Sequence, residues 1–159
     1  IAAVNGIAFG AGAGLAIGCD IVLAASSARF QFGFVNVGLG PDSGVSWYLP
    51  AMVGPVCALD LALTGRAVSA GEALAMGLVS RVVADDTLLE TARSIALECA
   101  GRSPEALATI KHLIRAGPLG TLDAALDAER DAQVLLGQTQ GYREGVLRFS
   151  RPKTGTTSR

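Results

Sequence analysis

Among the 14 acidic residues of this sequence, Asp42 is one whose carboxylate could do chemistry or could be structural. It lies in Gly38-Leu-Gly-Pro-Asp-Ser-Gly44, a loop of turn formers around Pro41. Local sequence alone leaves two roles open. Asp42 can cap a helix that starts at Ser43, or a loop can hold its carboxylate as a proton carrier. His112 is the single histidine and sits mid-helix between Lys111 and Leu113. No acid or nucleophile lies at triad-like spacing from it, so it reads as a surface or subunit-contact residue. Cys19, Cys57 and Cys99 are odd in number and widely separated. They form no disulfide framework and no zinc spacing, so reduced thiols and no metal site are expected. Glu129, Arg130 and Asp131 read as a solvated helix face.

The second chemical feature is Asn5-Gly6-x-x-x-Gly10-x-Gly12, which follows an apolar strand end and precedes a short helix. Its spacing resembles the glycine loop of short-chain dehydrogenases. No usable acid follows a second strand at the expected distance, and the Tyr-x-x-x-Lys pair is missing. Tyr48 is followed by Leu-Pro-Ala-Met and Tyr142 by Arg-Glu-Gly-Val. Close packing of small residues is one alternative. Another is an oxyanion site. A helix N-terminus leaves backbone N–H groups without partners, glycines let a ligand approach the main chain, and such donors stabilise a carbonyl oxygen that gains negative charge.

The elements that position these residues are mostly readable. Ile1 to Val4 is a buried strand end. Gly10 to Gly18 is a loop turning into a short helix. Asp20 to Ala25 and Ala28 to Phe32 are short strands. A helix is expected from Ser43 to Met52, ending near Gly54-Pro55, and another from Val56 to Leu63. Ser69-Ala-Gly-Glu72 has the capping-box pattern and opens a helix that stops at Gly77. Leu78 to Val83 is a strand. Thr87 to Ala100 is an amphipathic helix with Leu88, Ala92, Ile95, Ala96 and Cys99 on one face. Pro104 opens a helix to about Ala116. Leu122 to Leu136 and Tyr142 to Phe149 are helical as well. Residues 151–159 are polar and expected to be a flexible tail. The class is α/β, with strands early and helices late.

At 159 residues the chain fits one domain, and half of it is apolar, enough for a core. Its formal charge is −1 with acids and bases interspersed, which excludes the basic stripe of a nucleic-acid binder. Gly6 to Ala25 is apolar, but Asn5 and Asp20 bracket only 14 residues, short of the roughly 20 that span a bilayer. No membrane association is expected, and the cytoplasm is the expected location. The chain has no leader-like basic start and begins inside a strand at Ile1, so the first part of a longer subunit is expected to precede it.

Taken together, several stretches are similar to the crotonase (enoyl-CoA hydratase/isomerase) superfamily. They are Ile1-Ala-Ala-Val-Asn-Gly6-x-Ala8-x-Gly10-x-Gly12-x-x-Leu15-Ala16, then Cys19-Asp-Ile-Val22, Ala28-Arg-Phe30, Gly38 to Gly44, Leu49-Pro50 with Val53-Gly54, and Ala62 to Gly65. Ser69-Ala70 with Glu72-Ala73, Gly77-Leu-Val79 and Tyr142-Arg-Glu-Gly145 with Phe149 continue the pattern. The resemblance implies a spiral of ββα turns followed by a C-terminal helical trimerisation section. In these terms residues 1–85 form the second part of the spiral with the acyl-CoA site, and residues 86–150 the oligomerising helices. A homotrimer or hexamer is implied, with an acyl-CoA thioester as substrate. No separate cofactor is expected, coenzyme A being part of that substrate.

The resemblance also assigns residues. The Ala11 N–H becomes one oxyanion donor, and the missing N-terminal part supplies the other. Gly10, Gly12, Phe34, Leu39, Pro41 and Ser43 fall at substrate-contacting positions. Hydratase members carry glutamates where Gly14 and Phe34 stand, so water addition by two glutamates is not expected. Asp42 is the acid left over the acyl chain. The pattern resembles ring-1,2-epoxyphenylacetyl-CoA isomerases and Δ3-Δ2-enoyl-CoA isomerases, with Asp42 shuttling a proton. A hydratase in the broad sense, and a catalytically silent paralogue acting only in assembly, are the alternatives. Trp47 and Tyr48 are expected to pack. Phe149 and Lys153 match a family region that touches CoA, although Pro152 disturbs the register.

Overall fold

The computed structural model describes residues 1–150, without the side chains of Phe149 and Ser150. The expected tail, and the Phe149, Pro152 and Lys153 match, lie outside the described residues. Two compact units divide the chain, Ile1–Ala96 and a second that begins at Leu97.

The first unit repeats a strand pair followed by helix. Strands β1 (Ala2–Val4) and β2 (Ile7–Phe9) lead into helix α1 (Ala11–Ile17). Strands β3 (Val22–Ala25) and β4 (Arg29–Gln31) follow, then a 3-10 helix over Gly33–Val37 and helix α2 (Val45–Thr64). β3 lies parallel to β1 with Ala2 opposite Val22, and β4 lies parallel to β2 with Ile7 opposite Arg29. Each pair therefore stacks on the one before, and two sheets grow side by side as a spiral. Strand β5 (Ala67–Ser69) closes the second sheet antiparallel to β4. Strand β6 (Arg81–Val83) closes the first sheet parallel to β3. β3, Val-Leu-Ala-Ala, is the central strand and is buried at all four residues. An unbroken apolar run is what a strand in a parallel sheet with both faces covered requires. Leu23, Phe30, Phe32, Leu49, Leu61 and Leu78 fill the core.

Several boundaries shift from the sequence reading, each for a local reason. The strand expected over Leu78 to Val83 shortens to Arg81–Val83, because the Leu78 and Val79 N–H groups donate to Ala73 O at the end of α3 (Ala70–Ala75). The helix expected at Ser43 starts at Val45, because Ser43 and Gly44 are left-handed, with φ of 51° and 79°. Helix α2 is long and apolar enough to cross a membrane by length and composition alone. It is broken at Gly54 (φ 78°, ψ 158°) beside Pro55, leaving two segments, 45–53 and 55–64, each well short of a span.

Two polar clusters pin the spiral. The Ser69 hydroxyl accepts from the Glu72 N–H at 3.2 Å, and the Glu72 carboxylate accepts from the Ser69 N–H at 2.9 Å, the reciprocal box read from the sequence. Asp85 accepts from the Ser26 hydroxyl at 2.7 Å, from the Ser27 N–H at 3.1 Å and from the Ser27 hydroxyl. These bonds tie the β3–β4 turn to the segment after β6. Helix α4 (Leu88–Ala100) buries Leu88 and Ala92, with Ile95 against the core.

The second unit is helical: α5 (Pro104–Ala116), α6 (Leu122–Leu136) and α7 (Gln140–Ser150). Ser103 caps α5 through Ala106 N, with Pro104 at the first helical position, and Thr121 caps α6 through Ala124 N. α7 crosses the start of α5 closely: a Cβ on Gly141 would lie 2.6 Å from Ser103 Cβ.

Candidate active site

Helix α1 is the centre of the site. Gly10 turns β2 into it with φ 53° and ψ −119°, a backbone state that disfavours any side chain. The Gly10 N–H donates to Gln31 O at 2.9 Å, which fixes the turn against the end of β4. Ala11 is the first helical residue, and no side chain caps the helix. The Ala11 N–H meets no acceptor among the described residues, and Ala11 and Gly12 are exposed. A helix start of this kind carries partial positive charge and an unused donor.

Phe34 packs against this start. A Cβ built on Gly10 would lie 3.8 Å from Phe34 Cε1 and Cζ. Phe34 is only 9 % exposed, held by the 3-10 helix whose end is closed by Gly38 in the left-handed region. The Leu39 N–H donates to Phe34 O at 3.0 Å and starts the loop. Leu39 is 64 % exposed, and Pro41, Asp42 and Ser43 are exposed as well.

Asp42 does not cap the following helix. Its backbone carbonyl accepts from Val45 N at 2.9 Å, but the cap position belongs to Gly44 and no side chain bonds there. The Asp42 carboxylate is exposed and has no hydrogen-bond or ion-pair partner among the described residues. The loop instead meets α1 through its neighbour. A Cβ on Gly14 would lie 2.8 Å from Ser43 Cβ, 3.0 Å from Ser43 O and 3.0 Å from Val45 Cγ2. Gly14 is one turn along α1 from Gly10, and its N–H donates to Gly10 O. Phe34 and the Asp42 loop therefore rest on successive turns of one short helix.

The structure brings Gly10, Ala11, Phe34, Ser43 and, through the loop, Asp42 to α1. It also reveals contributors that sequence reading missed. Val45 packs on Gly14, and Ser43 is the one non-glycine residue with positive φ among the described residues. The adjoining Gly44 was the available signal for a left-handed turn. Tyr48 packs as expected, closely enough that a Cβ on Gly44 would lie 2.8 Å from its Cε2. Trp47 does not pack: it is 61 % exposed on the first turn of α2. His112 is exposed, in the second unit, beside a cleft of about 580 Å³ lined also by Glu105, Thr109, Asp131 and Leu135. No cluster of three His, Cys, Asp or Glu side chains among the described residues could hold a metal ion.

Known proteins share this fold. The enoyl-CoA hydratase/isomerase family model matches residues 1–154. The chain belongs to that family. Within it, 1,2-epoxyphenylacetyl-CoA isomerase of Escherichia coli K12 is 47 % identical over 149 residues, covering 94 % of this chain and 57 % of the relative. The 2,3-dehydroadipyl-CoA hydratase of the same organism is 38 % identical over 154 residues, covering 97 % of this chain and 60 % of the relative. The crystal structure of an enoyl-CoA hydratase from Bacillus anthracis superposes with a TM-score of 0.88 at 35 % identity, over 92 % of this chain and 57 % of that one. The crotonase α/β fold is thus shared, and this chain spans somewhat more than half the length of these relatives.

Proposed function

We propose that this chain carries the proton-transfer half of an acyl-CoA isomerase site, with Asp42 as the carboxylate that moves the proton. The observation that carries the reading is the pairing of an unused Ala11 N–H with an unpartnered Asp42, on a loop packed against the same helix. The 47 % identity to an epoxyphenylacetyl-CoA isomerase supports it.

In this mechanism the thioester oxygen accepts from the Ala11 N–H and from a second donor outside these residues. The Asp42 carboxylate takes the α-proton of a 3-enoyl thioester. The C–H electron pair passes into a dienolate whose charge rests on the thioester oxygen, where the helix start and its N–H stabilise it. The protonated Asp42, whose exposed carboxyl exchanges its proton with solvent, then delivers a proton at the γ-carbon, so one proton is removed and one is returned. Gly10 and Gly12 keep the approach to the main chain open. Phe34, Leu39 and Pro41 offer apolar surface to the acyl group, and Ser43 sets the turn beside Asp42.

The same family resemblance carries a homotrimeric or hexameric assembly built through the helices of residues 86–150, and a cytoplasmic location. Hydration is the competing chemistry, because a relative at 38 % identity is a 2,3-dehydroadipyl-CoA hydratase. It is disfavoured by glycine at position 14 and phenylalanine at position 34, where the hydratase pattern has acids. The test assays 3-enoyl-CoA isomerisation and crotonyl-CoA hydration in parallel, in the full-length protein and in Asp42→Asn. Isomerisation that disappears in the variant, with little hydration in either protein, supports the reading. Strong hydration that survives the substitution contradicts it.

A further inference from the structure

Two aromatic rings and two glycines interlock beside the donor turn. Phe9 ends β2 immediately before Gly10, and Gly33 opens the 3-10 helix immediately before Phe34. Phe34 lies against Gly10: a Cβ built there would be 3.8 Å from Phe34 Cε1 and Cζ, an ordinary contact. Phe9 lies against Gly33 in return, and more tightly. A Cβ on Gly33 would be 2.9 Å from Phe9 Cε2 and 3.0 Å from its Cζ. Carbon atoms in good contact are about 3.5–4.0 Å apart, so the Phe9 ring occupies the space that a side chain at 33 would need. Asn36 Nδ2, 2.9 Å from the same point, confines Gly33 as well. In the sheet Phe9 stands opposite Gln31, whose carbonyl accepts from the Gly10 N–H at 2.9 Å. Strand β4 ends at Gln31, and the crossed rings carry the contact on to the 3-10 helix.

We propose that Phe9 is a positioning residue for the oxyanion donor. Its ring on Gly33 sets the 3-10 helix, the 3-10 helix sets Phe34, and Phe34 covers the Gly10 turn that aims the Ala11 N–H. A backbone donor stabilises a developing oxyanion most when it is fixed beforehand in a site of low dielectric. Loss of the ring leaves the N–H in the chain but looser and wetter. It therefore weakens enolate stabilisation more than ground-state binding. The inference rests on the proposed function for the role of the Ala11 N–H, and it does not depend on which group moves the proton.

The experiment uses the full-length protein with Phe9→Ala, Phe9→Met, Gly33→Ala and the Phe9→Ala/Gly33→Ala pair. Isomerisation of a 3-enoyl-CoA is one readout. The other is the enolate absorbance of bound acetoacetyl-CoA, a β-keto thioester that ionises at its α-carbon without turnover. Removing an oxyanion donor outright costs about 10²- to 10³-fold in kcat. Phe9→Ala only loosens one, so kcat should fall by about 10-fold with KM little changed, and the enolate-to-keto ratio at saturation and fixed pH should fall with it. Phe9→Met fills the same space with a flexible apolar chain and should restore most of both. Gly33→Ala displaces the ring and should resemble Phe9→Ala. In the pair the added methyl takes part of the vacated space, so the combined loss should be smaller than the product of the single losses.

An unchanged enolate ratio in Phe9→Ala would overturn the proposal even if the melting temperature fell, because a merely structural ring moves stability alone. So would losses that multiply in the pair. If Phe9→Ala does not fold, Gly33→Ala decides: a lower enolate ratio supports the proposal and an unchanged one overturns it. If the wild type isomerises no 3-enoyl-CoA but binds acetoacetyl-CoA as its enolate, the isomerase reading fails and the ratio in Phe9→Ala still decides this one. A wild type that isomerises 3-enoyl-CoA at a rate unaffected by Phe9→Ala leaves that reading intact and overturns this one. A wild type with no enolate band overturns the oxyanion role and this inference with it.

Discussion

Asp42 and Asp85 are both exposed aspartates, yet they stand in opposite situations. Asp85 is surrounded by donors, and hydrogen bonds from the Ser27 hydroxyl, then the Ser26 hydroxyl and the Ser27 N–H, hold its carboxyl below the usual carboxylate range. A group depressed in the folded state stabilises folding above its unfolded pKa, about 3.9, and loses that contribution as pH falls through the folded value. Thermal unfolding from neutral pH down to about pH 3 should therefore show wild type and Asp85→Asn converging at the acid end. A constant gap between the two curves would contradict the assignment. Asp42 makes no such bonds within the chain, which leaves its carboxylate available to a ligand. Removing a general base typically costs 10²- to 10⁴-fold, so Asp42→Asn should lower isomerisation by about that much with the fold unchanged by circular dichroism. The position of Asp42 was legible in the sequence from its loop and from the family pattern. Its uncapped state was not, because whether an aspartate caps a helix depends on the φ of the residues after it, here the left-handed Ser43 and Gly44.

Among the elements, helices and their caps were readable because their signals are chemical and local. The Ser69–Glu72 box and the helix start at Pro104 appear where they were read, while the Thr121 cap of α6 was not singled out in the sequence. β2 and β5 have three residues each, too few for a period of two to register, and they exist because β4 pairs with both. The close seat of the Asp42 loop on α1 links residues 14 and 43 through tertiary packing, which no local window contains. The two glycines of greatest consequence act by different physics. Gly14 is required by space. Gly54 is required by backbone, since a Cβ there would meet nothing within 4 Å but φ 78° and ψ 158° lie in a region nearly exclusive to glycine. Gly54→Ala should destabilise by about 1–3 kcal/mol, read by denaturant unfolding, even though no atom clashes. Ser69→Ala, which removes the cap of α3, should cost about 1 kcal/mol in the same assay.

At the scale of the whole molecule the surface is unusually apolar. Ile7, Leu15, Val56 and Leu63 of the first unit are exposed, as are Ile110, Ile114, Leu122, Val134 and Leu147 of the second. Where such exposed apolar side chains adjoin, they mark surfaces that other chain segments or subunits cover. The 159-residue chain by itself is therefore expected to self-associate, and sedimentation velocity should show species heavier than the 16.2 kDa monomer. A single monomeric boundary at high concentration would contradict this. The α/β class and the order of the spiral were legible from the motif series. The distribution of exposed apolar side chains was not, because an amphipathic pattern shows which residues share a face and not what that face meets.

The central claim, that Asp42 moves the proton, is tested most directly by exchange of substrate hydrogen with solvent. A 3-enoyl-CoA is incubated in deuterated buffer with the full-length protein or its Asp42→Asn variant, and label at the α- and γ-carbons is followed by mass spectrometry. Deuterium should enter at these carbons with the wild type and fall to background with Asp42→Asn, while the variant still binds the thioester. Exchange at an undiminished rate in Asp42→Asn would show that another group carries the proton.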